Sequence, residues 1–521
     1  MALADPALPA HSMSGPLLSN APGDTRMTDS RTLNEAFRGE GNQGMSSEAI
    51  GVGKSGGSSG KPTDGGAPLA PWPKPAVAYY TLFVLILSTA CSQLDIAIVP
   101  FLGANIKKDL HLSDFGFSLM VGASFGLFYA LVGVPIAWFI DRFSRKRLLA
   151  LAITVWSLGT ACCGITQTYV QIFIARFFVG AGEAVNGPAA YSIVSDLMPR
   201  EKMPRAIAIL QIGSVLGPAI STLISFFVLR AFLEIPPIHV PFGVIHGWQL
   251  IFIIVGLPGL LIALLMLTTM PEPARHTIPN QVAGVTETPT TFGGAVASAI
   301  RDYGMALSYM TKHWTVFGPM FLSLFIGSLG TGFLAFTPIF FGRTFGWAPA
   351  KLAGLNIFPT FVLMPLGLFL GVMIAEHFAR KGKDDAALRT QIVCRLVALV
   401  GMFGVLMPNA WVAWAMGTLT LFSIGLSGPS QNAAFQIVTP TELRGKMTAL
   451  FLLIYSVVGV AFAPMVTGVI STYVVGEEHI RWAIFLPAAV FGPTSLFVTW
   501  LGLKPYEREV KRLKDLENLP A

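Results

Sequence analysis

Apolar runs of about twenty residues recur from Tyr79 to the carboxyl end of this 521-residue chain. A helix of that length is about 30 Å long, which matches the hydrocarbon core of a bilayer. Of all residues, 53% are hydrophobic and only 12% are charged, whereas a soluble protein carries about 25% charged residues. The sequence therefore predicts an all-α membrane protein that crosses the bilayer many times.

We predict twelve transmembrane helices in two pseudo-symmetric halves of six. The expected spans are roughly 77–103, 116–140, 147–166, 170–196, 204–231, 247–270, 314–341, 352–376, 389–408, 411–437, 446–473 and 482–503. Connections rich in Lys and Arg alternate with connections that lack them, and the positive-inside rule then places both termini in the cytoplasm. We expect a multi-pass protein of the cell membrane, which in a bacterium is the inner membrane.

The residues outside the spans differ from them in composition. Residues 1–75 are rich in Gly, Ser, Pro and Asn without an apolar period, which predicts a disordered cytoplasmic tail. Residues 76–271 form the first six-helix half, and residues 314–503 form the second. Between them, the polar residues 272–313 are expected to be a cytoplasmic linker, and residues 504–521 a second cytoplasmic tail.

The two halves repeat one another. Residues 241 positions apart correspond (429 − 188 = 241): Gly187-Pro188, Pro199, Glu201 and Arg205 match Gly428-Pro429, Pro440, Glu442 and Lys446. Repeated six-helix halves with a binding site between them, near the midplane, are typical of carriers that work by alternating access.

Charged residues lie inside two apolar spans. Arg176 and Glu183 are seven positions apart in the fourth span, so they lie on nearly one helix face and about 10 Å apart. Asp95 lies at a comparable depth in the first span. Because charges within a span are costly and mark ion or substrate paths, we expect Asp95 and Glu183 to take part in proton coupling. Arg176 then controls the pKa of Glu183 or binds an anionic substrate group; a static buried ion pair is the alternative.

Polar side chains at other positions in the spans could hydrogen-bond a substrate. The candidates for lining a substrate cavity are Asn186, Tyr191, Gln211, Gln431 and Asn432. Hydrogen bonds between helices are the alternative role for each of them. Arg395, two turns inside the ninth span, is expected to extend its side chain to the cytoplasmic surface, and lining the substrate path is the alternative.

Enzymatic chemistry has no support in the sequence. Cys91, Cys162, Cys163 and Cys394 fall in apolar spans and are expected to be small buried hydrophobes. His and Cys residues lack metal-ligand spacing, and a phosphate-binding loop is absent. We expect the protein not to be an enzyme and to bind no cofactor and no metal. The net charge of +7 comes mainly from loops, so it indicates membrane topology, and we expect no nucleic-acid partner.

The connection between the second and third spans resembles the signature of the major facilitator superfamily, G-x-x-x-D-R-x-G-R-[RK]. The matching residues are Gly133-Val134-Pro135-Ile136-Ala137, Asp141-Arg142 and Arg145-Lys146-Arg147, with Ala137 and Ser144 in place of the two glycines. The Gly, Pro and Ala before Asp-Arg are similar to the spinster-type branch. So are Leu112-Ser113-Asp114, the run Arg176 to Pro188, and Gly247-Trp248-Gln249 with Val255 to Gly259. That branch usually has Asp-Arg in the first helix, whereas here Ile96 follows Asp95.

The resemblance implies a gate at the cytoplasmic ends of the helices. In the family, residues equivalent to this loop hold the two halves together and separate during turnover. The expected gating residues are Asp141, Arg142, Arg145, Lys146, their partner Asp196, and a reduced counterpart in Glu376 and Arg380. Simple positive-inside topology is the alternative, but topology alone does not require the acid.

The resemblance also implies the function. We expect a proton-coupled secondary transporter that moves an amphipathic lipid or lysolipid, with protons and the bilayer as its other partners, and that works as a monomer. One alternative is a symporter of small organic anions such as sugar acids or aromatic and carboxylic acids. A more distant alternative is a membrane sensor that does not transport and uses the long tail as its output.

Overall fold

A computed structural model describes residues 71–133, 135–199, 202–241, 243–275, 291–440 and 443–517. The expected N-terminal tail therefore lies almost entirely outside the described residues, as do Glu201 and Glu442 of the repeat. The described chain is almost entirely helical, which agrees with the predicted all-α fold.

Eight helices and one short hairpin form the first half. They are α1 (Pro75–Asp109), α2 (Asp114–Gly133), α3 (Ile136–Arg142), α4 (Arg145–Cys163), α5 (Tyr169–Glu183), α6 (Asn186–Ser195), α7 (Met203–Phe232), the antiparallel strands β1 (Ile238–Val240) and β2 (Gly243–Ile245), and α8 (Gly247–Thr269).

One helix of the linker precedes the six helices of the second half. They are α9 (Phe292–Lys312), α10 (Trp314–Phe345), α11 (Pro349–Arg380), α12 (Ala386–Leu406), α13 (Ala410–Ile437), α14 (Lys446–Val475) and α15 (Ile480–Glu517).

Ten helical stretches of the described residues are long and apolar enough to cross a membrane. The fourth predicted span is divided between α5 and α6, and α7 supplies the fifth. The structure is thus consistent with twelve crossings in two halves.

Three elements differ from the predicted boundaries. The helices α1 and α15 extend beyond the expected spans 77–103 and 482–503, because each helix continues through charged residues after its apolar run ends. The helix α9 forms within the expected linker, where Asp302 makes a 3.0 Å ion pair with Lys446 of α14. Cys162 is exposed, contrary to expectation, because it lies on the outer face of α4.

The fourth span is interrupted between Glu183 and Asn186. Residues 184–185 form a turn that separates α5 from α6. Pro188 has no backbone N–H to donate to the carbonyl of residue 184, and its ring collides with that carbonyl in a regular helix. The predicted span 170–196 is therefore not one continuous helix, and Gly187-Pro188 is the sequence signal for this break.

The two ends of the helix bundle are built differently. We call the end where α3 meets α4 the basic end, and the end where α1 meets α2 the far end. The halves pack on each other where α2 crosses α14, where the end of α7 meets the start of α11, and where the end of α1 meets α10. At the first crossing, Gly122 and Gly126 lie against the backbone of Ala461, where a Cβ atom has no room.

At the basic end, a short segment after α8 ties the first half together. The carboxylate of Glu272 accepts hydrogen bonds from the backbone N–H groups of Arg145 (3.1 Å) and Lys146 (2.9 Å), and from the hydroxyl of Ser144 (2.6 Å). Arg275 donates to the carbonyl oxygens of Ile140 (2.8 Å) and Phe143 (3.2 Å). The segment 272–275 thus caps the start of α4 and the end of α3, and we call it the clamp.

We expect Glu272→Gln to lower the free energy of unfolding by about 1 kcal/mol at pH 7, the usual value of a helix cap. Partial burial opposes the charge of Glu272, but hydrogen bonds from Ser144, Lys146 and Arg145 outweigh this effect and hold its pKa below 4.5. A lowered pKa stabilises the fold above the unfolded-state value, and this stabilisation is lost as pH falls through the folded-state pKa.

Thermal unfolding of wild type and Glu272→Gln between pH 7 and pH 3.5 measures this difference. The gap between their midpoints should close below about pH 4.5, the ordinary glutamate value. Glu234→Gln, at an exposed position of the far end, is the control and should match wild type throughout. A gap that persists unchanged at low pH would contradict the charge-based role.

Candidate functional site

The three charged residues of the spans form one buried cluster in the first half. Asp95 of α1 is 1% exposed, and Arg176 and Glu183 of α5 are each 2% exposed. The two carboxylates and the guanidinium interact electrostatically. Within the described part of the chain, however, Arg176 forms no direct ion pair with either acid. The guanidinium instead lies over the ring of Phe125, with 5.2 Å between its carbon and the ring centroid.

Two serines of α1 connect the cluster to the break in the fourth span. Ser92 donates to Oε2 of Glu183 at 2.8 Å, and Ser88 donates to Oδ1 of Asn186 at 2.9 Å. Ser88, Ser92 and Asp95 are four and three residues apart, so they share one face of α1. This face therefore holds both sides of the break in the fourth span.

Several buried polar atoms of the cluster have no hydrogen-bond partner among the described residues. They are both carboxylate oxygens of Asp95, Oε1 of Glu183, and Nε and Nη1 of Arg176. The hydroxyl of Thr160 on α4 lies beside Asp95. Native proteins rarely leave buried polar groups without a partner, so their concentration in one cluster calls for a functional explanation.

Gly180 lets α5 approach α2 closely beside this cluster. A Cβ atom at Gly180 would collide with the backbone oxygen of Phe125. Close approach through glycine is a usual way for membrane helices to pack, and here it brings the ring of Phe125 over Arg176.

At the basic end, two of the expected gating residues, Arg145 and Asp196, bind each other within the first half. Arg145 is 2% exposed and forms an ion pair with Asp196. It also donates to the carbonyl of Ser192 at 3.0 Å and to the clamp through Glu272 at 3.1 Å. All of these partners belong to the first half, so Arg145 joins α4, α6 and the clamp in this conformation.

The other expected gating residues lie at the surface. Asp141 and Arg142 are exposed, and the guanidinium carbon of Arg142 lies 4.9 Å from the centroid of the Trp138 ring. The backbone N–H of Lys146 is bound by the clamp. Glu376 and Arg380 form an exposed 2.8 Å ion pair one turn apart on α11.

A second charge network joins the two halves at the far end. Asp114, at the start of α2, is fully buried and accepts two hydrogen bonds from Arg343 of α10, at 2.8 and 2.9 Å. Lys107 of α1 pairs with Asp114 and, at 2.7 Å, with Glu477. Ser471 of α14 donates to Asp114. We call these five residues the far-end lock; paired, charge-assisted hydrogen bonds of this kind are strong.

The far-end lock is not among the sites predicted from the sequence, although two of its residues gave a signal. Lys107 and Arg343 are cations at the end that the positive-inside rule leaves poor in Lys and Arg. A cation on that side needs a reason other than topology. Asp114 was noted only as part of a family resemblance.

A cavity of about 320 Å³ lies between the halves, and we call it the main cavity. It is lined by residues of α1, α7, α10 to α13 and α15. Aromatic and aliphatic side chains dominate the walls, among them Phe101, Phe333, Phe340 and Trp414. The buried charge cluster does not border this cavity.

None of the five polar residues expected to line a substrate path borders the main cavity. Asn186 binds Ser88 within the first half, and the hydroxyl of Tyr191 donates to Gln211 at 2.9 Å. Asn432 is exposed on α13, and Gln431 borders a gap of about 20 Å³ inside the second half.

Arg395 does not reach the surface as expected. Its Nη1 donates to the backbone oxygen of Ser323 at 3.3 Å, and its Nε is buried without a hydrogen-bond partner in the described structure. The side chain is held between α10, α12 and α15, where Gly327 leaves room for it. The position of Arg395 within its span does not by itself predict the room that Gly327 leaves for its side chain.

Comparison with known families identifies the fold. The family model described as Major Facilitator Superfamily matches residues 85–464, well over half of the chain. The chain belongs to the Major Facilitator Superfamily. As a member, it is a multi-pass membrane transporter and not an enzyme, which confirms both expectations.

Relatives in this superfamily differ in the substrates that their names give. An MFS-type efflux pump of Mycolicibacterium smegmatis is 25% identical over 84% of this chain and 95% of the relative. A probable galactarate/D-glucarate transporter of Escherichia coli is 24% identical over 76% of this chain and 87% of the relative. The niacin transporter of Acinetobacter baylyi is 30% identical, but over only 35% of this chain and 38% of the relative.

Among solved structures, a bacterial homologue of the human lysosomal transporter Spinster, in an inward-facing and unoccupied conformation, resembles the chain with a TM-score of 0.65. It is 22% identical and covers 86% of this chain and 100% of that one. A D-xylose-proton symporter gives a TM-score of 0.57 at 16% identity, over 81% and 97% of the two chains. The expected resemblance to spinster-type carriers is confirmed at the level of the fold.

We expect Asp114→Asn to open the far end. The substitution leaves Lys107 and Arg343 without their buried counter-ion, and breaking a buried pair costs about 3–5 kcal/mol. A cysteine placed at Thr337 in the main cavity should then react at least about tenfold faster with a membrane-impermeant thiol reagent added at the far end, since about 1.4 kcal/mol corresponds to tenfold.

The control is Lys351→Gln, which removes a cation stacked on Trp347, with its nitrogen 4.3 Å from the ring centroid, entirely within the second half. Its labelling rate should equal that of the parent. Equal rates in Asp114→Asn and the parent would show that the far-end lock does not hold the halves together.

Proposed function

We propose that this transporter is a proton-coupled carrier that moves an amphipathic organic anion with a long apolar part, of the lysolipid kind, by alternating access. The observation that carries the proposal is the position of the buried cluster of Asp95, Arg176 and Glu183 beside the break in the fourth span, in a chain whose main cavity is apolar.

Alternating access is supported by the difference between the two ends. The far-end lock and the crossing of α2 with α14 hold the halves together at one end. At the basic end, Arg145 is bound inside the first half. We assign this conformation to a state open towards the cytoplasm, with both termini on that side and with Arg145 and Asp196 as part of the gate.

Proton coupling is supported by the chemistry of the cluster. Ser92 bonds one oxygen of Glu183, and the other oxygen has no partner among the described residues. Burial disfavours the charged form of a carboxylate, while a nearby guanidinium favours it. A carboxylate held between these opposed effects changes its charge when helix movements alter the distance to Arg176.

The walls of the main cavity favour a cargo with a long apolar part. Hydroxyl groups of its lining donate to carbonyls of their own helices, as Thr222 does to Pro218 at 2.8 Å and Thr360 to Asn356 at 2.7 Å. The indole N–H of Trp414 donates to Asn356 at 3.1 Å. Few donors are left for a polyhydroxylated solute, whereas an acyl chain needs none.

The second candidate cargo is a small organic anion such as a sugar acid. The similarity to the probable galactarate/D-glucarate transporter over most of both chains favours it. A sugar acid requires hydrogen bonds along its whole length, so the apolar walls of the main cavity make it the weaker candidate.

Thermal unfolding of the purified protein tests the cargo. A ligand that binds the folded state at about one hundred times its Kd stabilises it by about 2.7 kcal/mol. We expect an anionic lysophospholipid and decanoate to raise the midpoint by a few degrees, and D-glucarate and nicotinate to leave it unchanged. Stabilisation by D-glucarate alone would replace the lysolipid proposal with the sugar-acid candidate.

We expect Glu183→Gln to abolish substrate-driven proton uptake into proteoliposomes while substrate counterflow continues. Glutamine still accepts the hydrogen bond from Ser92 but cannot exchange a proton. A pH-sensitive dye inside the vesicles measures proton uptake, and a preloaded labelled substrate measures counterflow.

Asp515→Asn, which changes an exposed carboxylate of the same chain, is the matched control and should keep both activities. Asp95→Asn tests whether the second acid shares the proton. Full proton uptake by Glu183→Gln would exclude Glu183 as the coupling residue.

A further inference from the structure

Arg395 is a cation inside the membrane-spanning part of the second half. Among the described residues, no carboxylate lies within ion-pair distance of its guanidinium. Its one protein acceptor is the backbone oxygen of Ser323, at 3.3 Å, and its Nε is buried and unpartnered. Ionisable groups at such depth are expensive and, as a rule, functional.

A second unpartnered donor converges with Arg395 at one point. The hydroxyl of Ser495 on α15 is buried and has no partner in the described structure. A Cβ atom built on Gly327 would lie 2.7 Å from Nη1 of Arg395 and 2.9 Å from the hydroxyl of Ser495. Two donors from different helices thus meet where α10 has no side chain.

This point opens into a pocket of about 120 Å³, which we call the side pocket. Arg395, Gly327 and Ser495 are part of its wall. The side pocket is adjacent to the main cavity, because both share Leu334 and Met402, along with Phe333, Thr420, Ile424 and Ala488. An apolar chamber therefore lies directly beside a small chamber whose wall contains a guanidinium and a hydroxyl without a partner in the described structure.

We propose that the side pocket is an oxyanion site, in which Arg395 and Ser495 bind the carboxylate or phosphate of a ligand whose apolar chain occupies the main cavity. This inference rests on the proposed function and adds to it the residues that bind the acidic group. Arginine binds both oxygens of such a group through two parallel hydrogen bonds, and a low-dielectric setting strengthens them. The ligand supplies the negative charge that the protein does not.

Equilibrium binding to protein in nanodiscs tests the proposal with three probes: decanoate, 1-decanol with the same ten-carbon chain, and acetate with the head group alone. Wild type should bind decanoate at least about tenfold more tightly than decanol, since hydrogen bonds to a charged group contribute about 1.5–3 kcal/mol. Arg395→Gln should lose this preference and keep its affinity for decanol.

Two further substitutions cover the case in which Arg395→Gln does not fold. Gly327→Ala places a methyl group at the point where the donors meet, and Ser495→Ala removes the second donor. Both should weaken decanoate binding several-fold and spare decanol. Arg512→Gln, which removes an exposed cation of the same half, is the control and should leave all three affinities unchanged.

The outcomes separate this site from the proposed cargo. If acetate binds in place of decanoate and Arg395→Gln abolishes that binding, the oxyanion site stands and the lysolipid cargo is wrong. If decanoate binds equally well to wild type, Arg395→Gln and Gly327→Ala, the cargo stands and Arg395 only packs helices. If no probe depends on Arg395, the oxyanion site is wrong.

Discussion

A charged side chain inside an apolar bundle needs a counter-charge or hydrogen bonds, because the hydrocarbon supplies neither. The described structure meets this requirement in three ways. At the far end, Asp114 is surrounded by Lys107, Arg343 and Ser471. In the first half, Glu183 is held by a single serine near Arg176. In the second half, Arg395 has only a carbonyl and an adjoining pocket. Charges with a full set of partners, as at Asp114, hold helices together. Charges with an incomplete set, as at Glu183 and Arg395, can take up a proton or bind a ligand in the proposed mechanism.

The sequence predicted the helices well because apolar runs and their spacing determine where a chain can cross a bilayer. It also predicted that Asp95 and Arg176 would lie at depths that allow them to pair, and the structure places both in one buried cluster with Glu183, without a direct ion pair among the described residues. Helix ends were predicted less well, since a helix such as α15 continues beyond the apolar run. Two cations of the far-end lock gave a signal, but their partners could not be predicted, because the pairing depends on which helix ends of the two halves meet.

The two halves share a fold but differ in their chemistry. The first half contains the carboxylate pair and the broken helix, whereas the second half supplies most of the main cavity and the whole side pocket. In the proposed mechanism the proton and the cargo therefore bind to different halves. Coupling between them then depends on movement of one half against the other, at contacts such as that of Gly126 with Ala461.

The clamp has a consequence for how the protein is made. Its residues 272–275 follow α8 directly, and every contact described for Glu272 and Arg275 lies in residues 140–146. During synthesis the first six spans can therefore be closed at the basic end once residue 275 has left the ribosome, before any part of the second half exists. The second half then inserts beside a finished partner, and the order of translation itself reduces the number of ways in which twelve apolar helices could pair wrongly.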